Sequence, residues 1–104
     1  MTHLRLWKFR PPADGDEAFA EAYGADGAWA RLFALHPGYR GTTLARPTQP
    51  GGWWLTIDRW ADEAAFEAIL RDHGEAYRAL DLQLEGIAGD EEFIGTFEDS
   101  SATE

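Results

Sequence analysis

The chain contains no cysteine and no asparagine, and its nine lysines and arginines face nineteen aspartates and glutamates. Without cysteine there is no disulfide, no thiolate nucleophile and no cysteine-ligated zinc or iron–sulfur cluster. A net charge of −10 is the opposite of the basic surface that nucleic-acid binding needs, and it disfavours contact with anionic membranes. We therefore expect neither nucleic acid nor a membrane as a partner.

Long apolar runs are also missing, and none approaches the roughly 20 residues of a membrane-spanning helix. The first five residues carry no apolar signal-peptide core, so we expect a cytoplasmic protein. The three histidines, His3, His36 and His73, lack the spacing of metal ligands, and we predict no metal site.

What the chain does have is aromatic residues, which make up 13% of 104 residues and include five tryptophans. This length and an apolar content of 44% indicate one domain with a packed core. We expect that domain to span residues 1–98 and residues 99–104 to form a disordered acidic tail.

The elements alternate in the order β-α-β-β-α-β. Strands are predicted near residues 4–9, 39–46, 53–60 and 91–98. Asp14-Gly15-Asp16-Glu17 starts the first helix, two glycines at 24 and 27 break or kink it, and Asp26 is a plausible cap for the second part. The last helix follows Asp62 and is interrupted near His73. This order predicts an α+β ferredoxin-like fold, a four-stranded antiparallel sheet with its helices on one face.

The strand at residues 53–60 has bulky side chains on both faces, with Leu55 and Ile57 on one and Trp54 and Trp60 on the other. An antiparallel sheet with one wet face should instead alternate apolar and polar residues. The helices can cover one face only, so a second copy of the chain is the economical cover for the other. We expect a homodimer that forms through the sheet, with Trp54 and Trp60 in the interface.

Several short motifs together resemble the antibiotic biosynthesis monooxygenase (ABM) family of the dimeric α+β barrel superfamily. They are Phe19, the passage Pro37-Gly38-Tyr39-Arg40-Gly41-Thr42, the strand ending Asp58-Arg59-Trp60, Phe66, Tyr77, Leu80-Asp81 and Gly95-Thr96-Phe97. The resemblance implies that two sheets pack face to face as a barrel and that each subunit holds a pocket between sheet and helices. Its members include cofactor-free oxygenases of aromatic polyketides, haem-degrading enzymes and proteins of unknown substrate.

The haem-degrading branch of that family uses an asparagine on the first strand and a tryptophan and a histidine on the second helix. The matching positions here hold Trp7, Ile69 and Ala79. His73 lies about six residues before the histidine position, which rotates it by some 120° about the helix. We therefore predict no cofactor, and no haem ligation in particular.

The candidate pocket residues are mostly on the third strand, whose period of two places one set on a common face: Trp54, Thr56, Asp58 and Trp60, with Trp7 beside them. If Asp58 were buried there, desolvation would raise its pKa and suit it to act as a base. The alternative is that the tryptophans are interface core and that Asp58 pairs with a basic residue such as Arg40 or Arg46.

His73 and Tyr77 are four residues apart and lie on one helical face, where they could form a proton-transfer pair at the pocket mouth. The alternative is that His73, followed by Gly74, complements a helix C-terminus. Trp29 and Phe33 have the spacing of core residues.

These residues leave more than one class of function open. The first is a cofactor-independent monooxygenase, an oxidoreductase that acts on a small aromatic or quinol-type metabolite. The second is a dimer that binds a small molecule or responds to stress without turnover, since no sharp catalytic constellation is present. Haem degradation is a third and weaker alternative.

Overall fold

The computed structural model describes residues 1–101. Its elements are β1 (His3–Arg10), α1 (Asp16–Tyr23), α2 (Ala28–Phe33), β2 (Tyr39–Ala45), β3 (Trp54–Trp60), α3 (Glu63–Ala88) and β4 (Asp90–Glu98). The four strands form one antiparallel sheet in the order β2-β3-β1-β4. The predicted α+β ferredoxin-like fold is confirmed, with its first helix divided into two.

The division between α1 and α2 comes from the two glycines. The Gly24 backbone is extended and ends α1, and Gly27 is the N-cap of α2. A Cβ atom at Gly27 would lie 2.4 Å from the carbonyl oxygen of Ala22, closer than any side chain permits, so the chain can turn this tightly only with glycine. The prediction of Asp26 as the cap is wrong, because no side chain caps α2.

Helix α3 begins as expected and is bent where expected. The Asp62 Oδ1 atom accepts a hydrogen bond of 2.9 Å from the backbone N–H of Ala65, which satisfies one free donor of the first turn. His73 has non-helical angles (φ −132°, ψ 29°) and marks a kink. Beyond it α3 continues to Ala88, one turn past the predicted end near residue 84.

The register of the sheet fixes which side chains face the helices. On β1 and β3, Arg5 lies opposite Asp58 and Trp7 lies opposite Thr56, and directly opposed residues point to the same face. This face, which we call the helix-covered face, also carries Phe9, Trp54 and Trp60. The alternate residues of β1 and β3 point the other way, to the bare face.

Trp54 and Trp60 are buried by their own chain. Trp54 is 3% exposed and packs edge-on against Phe19, with ring centroids 5.2 Å apart. Trp60 is fully buried and packs between Phe33 and Phe66, at 5.1 and 5.5 Å. The expectation that these two tryptophans lie in a dimer interface is therefore wrong: they belong to two hydrophobic clusters between sheet and helices.

The bare face is aliphatic at its centre. Leu4 and Leu6 of β1 lie beside Ile57 and Leu55 of β3, half-buried although no helix covers them. Phe97 of β4 lies opposite Leu4 and is 46% exposed. The sheet thus has a second apolar face, but its members are not the ones that the tryptophans suggested.

The residues that follow β4 are hydrogen-bonded to the start of the chain and to one another. The backbone N–H of Asp99 donates to the Thr2 carbonyl at 3.0 Å, and the Ser101 hydroxyl bonds to the Asp99 carboxylate. The rest of the predicted tail, residues 102–104, lies outside the described residues. Within the described part of the chain, no helix has the length and apolar character needed to cross a membrane.

Candidate active site

A cavity of about 140 Å³ lies between the helix-covered face and the helices. The strands supply its floor, and the three helices and the start of β4 supply its walls. Its lining is half aromatic and half polar, and consists of Trp7, Phe9, Tyr23, Trp29, Ala30, Phe33, Thr42, Thr56, Asp58, Tyr77, Asp81 and Glu91.

The aromatic walls are held by their own packing. Trp7 stacks on Phe9 with centroids 6.1 Å apart and also contacts Phe93 at 5.1 Å. Across the cavity, Trp29 meets Tyr77 edge-on at 5.0 Å. Aromatic rings pair in such stacked and tilted arrangements because of their quadrupoles, and these contacts hold the aromatic part of the lining in place.

Asp58 is the ionisable group on the cavity floor. Its Oδ1 atom accepts a hydrogen bond of 2.6 Å from the Thr42 hydroxyl, on the neighbouring strand β2. Burial raises the pKa of Asp58 to about 6, and the Thr42 hydrogen bond and the Arg5 charge oppose the rise. A carboxylate with this pKa is ionised at neutral pH and still basic enough to take a proton from a bound molecule.

The Thr42 hydroxyl links Asp58 to Tyr39. The two hydroxyls of Tyr39 and Thr42 are hydrogen-bonded. Thr42 has one hydroxyl proton, which it gives to the ionised carboxylate, so Tyr39 must be the donor to Thr42. When Asp58 is protonated, its hydroxyl can donate to Thr42 and Thr42 can donate to Tyr39, so the direction of both hydrogen bonds reverses. Burial raises the pKa of Tyr39, which keeps its hydroxyl protonated.

Arginines approach Asp58 without forming an ion pair with it. The Arg5 guanidinium sits 3.8 Å from the centroid of the Phe66 ring, and burial lowers the pKa of Arg5. The alternative partners that the sequence suggested lie elsewhere: Arg40 donates to the Thr2 hydroxyl, and Arg46 lies over the ring of Trp54. The interpretation that Arg40 or Arg46 pairs with Asp58 is therefore wrong.

Two tyrosines face the same cavity as hydrogen-bond donors. Burial raises the pKa of Tyr23 to about 12, although the nearby Trp29 indole opposes the rise. The indole N–H itself has no hydrogen-bond partner of acceptable geometry among the described residues. Burial also raises the pKa of Tyr77, against the attraction of Arg5. Both phenols stay neutral at physiological pH.

Two more carboxylates, Asp81 on α3 and Glu91 on β4, are exposed at the edge of the cavity. Burial and the neighbouring charges of Asp81 and Glu85 raise the pKa of Glu91. Among the lining residues within positions 1–101, three are acidic and none is basic.

The structure brings only part of the predicted site together. Trp7, Thr56, Asp58 and Tyr77 line the cavity, whereas Trp54 and Trp60 lie in the core. His73 lines a separate, open groove on α3 with Arg71 and Arg78. The kink at His73 interrupts the regular helical spacing to Tyr77 and ends the first helical part of α3. The role of His73 beside a helix C-terminus stays a prediction.

The family model of the antibiotic biosynthesis monooxygenases matches residues 3–79, which is most of the chain. This chain belongs to the antibiotic biosynthesis monooxygenase family. The matched region covers the sheet strands β1 to β3 and the first part of α3, and so includes Asp58 and Thr42.

Solved structures share the ABM fold over nearly the whole chain. SnoaB, a cofactor-independent oxygenase from Streptomyces nogalater, is 25% identical with a TM-score of 0.62, covering 94% of this chain and 92% of SnoaB. The haem degrader MhuD from Mycobacterium tuberculosis, with two haems in its active site, is 19% identical with a TM-score of 0.63, over 98% and 99%. A monooxygenase from Streptomyces coelicolor in complex with nanaomycin D is 18% identical with a TM-score of 0.62, over 97% and 89%.

A curated relative is a much longer protein. Over 75 residues the chain is 36% identical to protein translocase subunit SecA 1 of Mycolicibacterium paratuberculosis. The match takes in 71% of this chain but 8% of the length of that protein.

Eight of the twelve residues that line the cavity of this ABM protein were not among those that the sequence singled out for chemistry. Trp29 and Phe33 were interpreted as core, yet both line the cavity. Asp81 is one helical turn after Tyr77, so the i, i+4 spacing could have found it. Thr42 gave no signal of its own, because its place beside Asp58 depends on the register of β2 with β3.

Proposed function

We propose that this chain is a cofactor-independent monooxygenase that acts on a small hydroxylated aromatic compound of the quinol type. The observation that carries the proposal is Asp58: a partly desolvated carboxylate that takes a hydrogen bond from Thr42 and opens onto an aromatic-walled cavity. The resemblance in fold to cofactor-independent oxygenases supports it.

The chemistry begins with a proton transfer. A bound quinol gives a hydroxyl proton to the Asp58 carboxylate, and the resulting electron-rich anion passes electrons to molecular oxygen. One oxygen atom bonds to a ring carbon, and the other leaves as water with two hydrogens from the substrate. The substrate is itself the reductant, so no flavin or metal is needed to balance the reaction.

The bare face of the sheet supports a homodimer as the working form. Its half-buried Leu4, Leu6, Leu55 and Ile57 form a contiguous apolar surface, of the kind that marks an interaction site. A second copy of the chain would cover it sheet to sheet, as the family resemblance implies. The cavity lies on the opposite face, so each subunit keeps its own site.

Haem does not fit this cavity on the evidence of its side chains. No histidine is among the residues that line it within the described chain. Of the three positions that matter in the haem-degrading branch, Trp7 lines the cavity, Ile69 is fully buried in the core and Ala79 is on the exposed side of α3. We derive no step through haem.

The test is oxygen consumption with a panel of hydroquinones and hydroxyanthrones, using wild-type protein, Asp58→Asn and the surface control Asp72→Asn. Enzyme-dependent uptake that Asp58→Asn abolishes and Asp72→Asn retains would support the proposal. Binding of the same compounds with no uptake in any sample would contradict it and indicate the alternative, a binding protein without turnover.

A further inference from the structure

We propose that the cavity accepts a single aromatic ring that bears hydroxyl or amino groups and carries no negative charge, and that it rejects fused-ring and carboxylated compounds. This inference rests on the proposed function, because it names the substrate class of the same site.

The space between the lining residues matches one aromatic ring. Its volume is about 140 Å³, and an engineered apolar cavity of about 150 Å³ holds a single benzene molecule. Pockets for larger ligands measure roughly 300–1,000 Å³. A fused three-ring compound would therefore have to leave part of its surface outside the lining or displace the walls.

Those walls resist displacement because each indole packs against other aromatic rings. Trp7 leans on Phe9 and Phe93 at 6.1 and 5.1 Å. Trp29 is held by Phe33 at 5.8 Å and by Tyr77 at 5.0 Å. Moving one indole would disturb several of these contacts at once, in an interior packed as closely as a crystal.

The charged side chains of the cavity determine which ligand charge it tolerates. Asp58 is on the floor, Asp81 and Glu91 are at the edge, and in the part of the chain that the structure describes no basic side chain lines the space. Arg5, the nearest cation named above, is turned onto the Phe66 ring. A ligand carboxylate would meet the like charges of Asp58 on the floor and of Asp81 and Glu91 at the exposed edge. The single charge of Arg5, which also acts on Asp58 and Tyr77, offsets this repulsion in part.

The polar groups of the cavity match a ring with hydroxyl substituents. The Asp58 carboxylate accepts a hydrogen bond, and the neutral Tyr23 and Tyr77 hydroxyls can both donate and accept. A hydroquinone or an aminophenol offers donors and acceptors on opposite sides of a flat ring, which fits a cavity that has polar groups among aromatic walls.

The test is calorimetric titration without oxygen, with three ligands: 1,4-hydroquinone, 2,5-dihydroxybenzoate and a trihydroxyanthrone. We expect hydroquinone to bind at least about tenfold more tightly than either of the others. Equal or tighter binding of the dihydroxybenzoate or of the anthrone would overturn the inference, and so would binding of none of the three.

A pair of variants isolates the charge. Asp81→Asn with Glu91→Gln should reduce the preference for hydroquinone over dihydroxybenzoate by about tenfold, whereas Glu67→Gln, an exposed acid elsewhere on α3, should not change it. An unchanged preference in the double variant would overturn the charge argument. Both substitutions are at exposed positions, and a thermal melt checks that the variant is folded.

Oxygen uptake with the same ligands separates this inference from the proposed function. If the ligands bind in the expected order but none causes oxygen uptake, the inferred ligand class is supported and the monooxygenase proposal is contradicted. If the anthrone causes uptake and hydroquinone does not, the monooxygenase proposal is supported and the inferred ligand class is contradicted.

Discussion

The two faces of the sheet are both apolar, but they differ in chemistry and in what covers them. The helix-covered face is aromatic, with Trp7, Phe9, Trp54 and Trp60 among polar Thr56 and Asp58. The bare face is aliphatic at its centre, with charged residues such as Lys8 and Arg59 around it. The helices pack over the aromatic face and leave a cavity beside it, whereas no helix of the described chain covers the aliphatic face. In this molecule the aromatic face therefore carries the cavity, and the aliphatic face is the surface that we propose for a partner.

The largest effect is expected on the aromatic face. Trp60→Asp places a charge with no partner where the wild-type residue is fully buried, at a cost of several kcal/mol, which is comparable with the whole stability of a small domain. We expect no folded protein by circular dichroism. A cooperative melt close to that of the wild type would show that the Trp60 environment is not the core that the structure describes.

The same kind of change on the bare face should separate assembly from folding. The wild type should have a mass of about 23 kDa by light scattering, twice the 11.6 kDa chain. Ile57→Asp should stay folded but run as a monomer, because the charge would be buried only in the dimer.

The matched control for this experiment is Leu35→Asp, at an exposed leucine after α2, which should leave the mass unchanged. A wild-type monomer at micromolar concentration would refute the dimer. An Ile57→Asp dimer would place the interface elsewhere.

The elements of this fold were predictable where local chemistry decides them. Asp62 predicts the start of α3, and the Asp72-His73-Gly74 stretch predicts its kink. The assignment of the two faces failed for a physical reason. A period of two tells which residues share a face, but when both faces of β3 are bulky it does not tell which one the helices cover.

On the helix-covered face, Asp58→Asn should lower turnover by about a hundredfold, the contribution of a general base. Because the base acts in its ionised form and its pKa is about 6, wild-type turnover should rise with pH and reach half its maximum near pH 6. Steady-state rates from pH 4.5 to 8 measure this. Turnover that is flat across pH 6 would remove Asp58 from the proton transfer.

The smallest effect should come from the neighbour of Asp58. Thr42→Val removes the hydrogen bond that stabilises the charged carboxylate, so the midpoint of the pH profile should move up by about one unit. Thr43→Val is the control, because the side chain of Thr43 points to the bare face and accepts from Arg59. A midpoint that moves equally in both variants would argue against the Thr42 contact as the cause.

The site was less predictable than the fold. Thr56 and Asp58 were found because they share a strand face, but Thr42 reaches Asp58 only through a register that shifts between Tyr39 and Gly41. Trp29 and Phe33 have the helical spacing of core residues, and a cavity wall has the same spacing. Sequence periodicity reports which side chains turn inward; whether they meet or leave a space depends on the tilt of each ring.

The kink at His73 divides α3 into two parts with separate duties. Before it, Ala65, Phe66 and Ile69 are anchored in the cluster around Trp60. After it, Tyr77 and Asp81 line the cavity. Leu84 and Ala88, also after the kink, belong to the core. Substitutions at Tyr77 and Asp81 can therefore alter what the cavity admits while the core residues of both parts keep the domain folded. The specificity of such a cavity can thus change at two positions one helical turn apart, without new loops or domains.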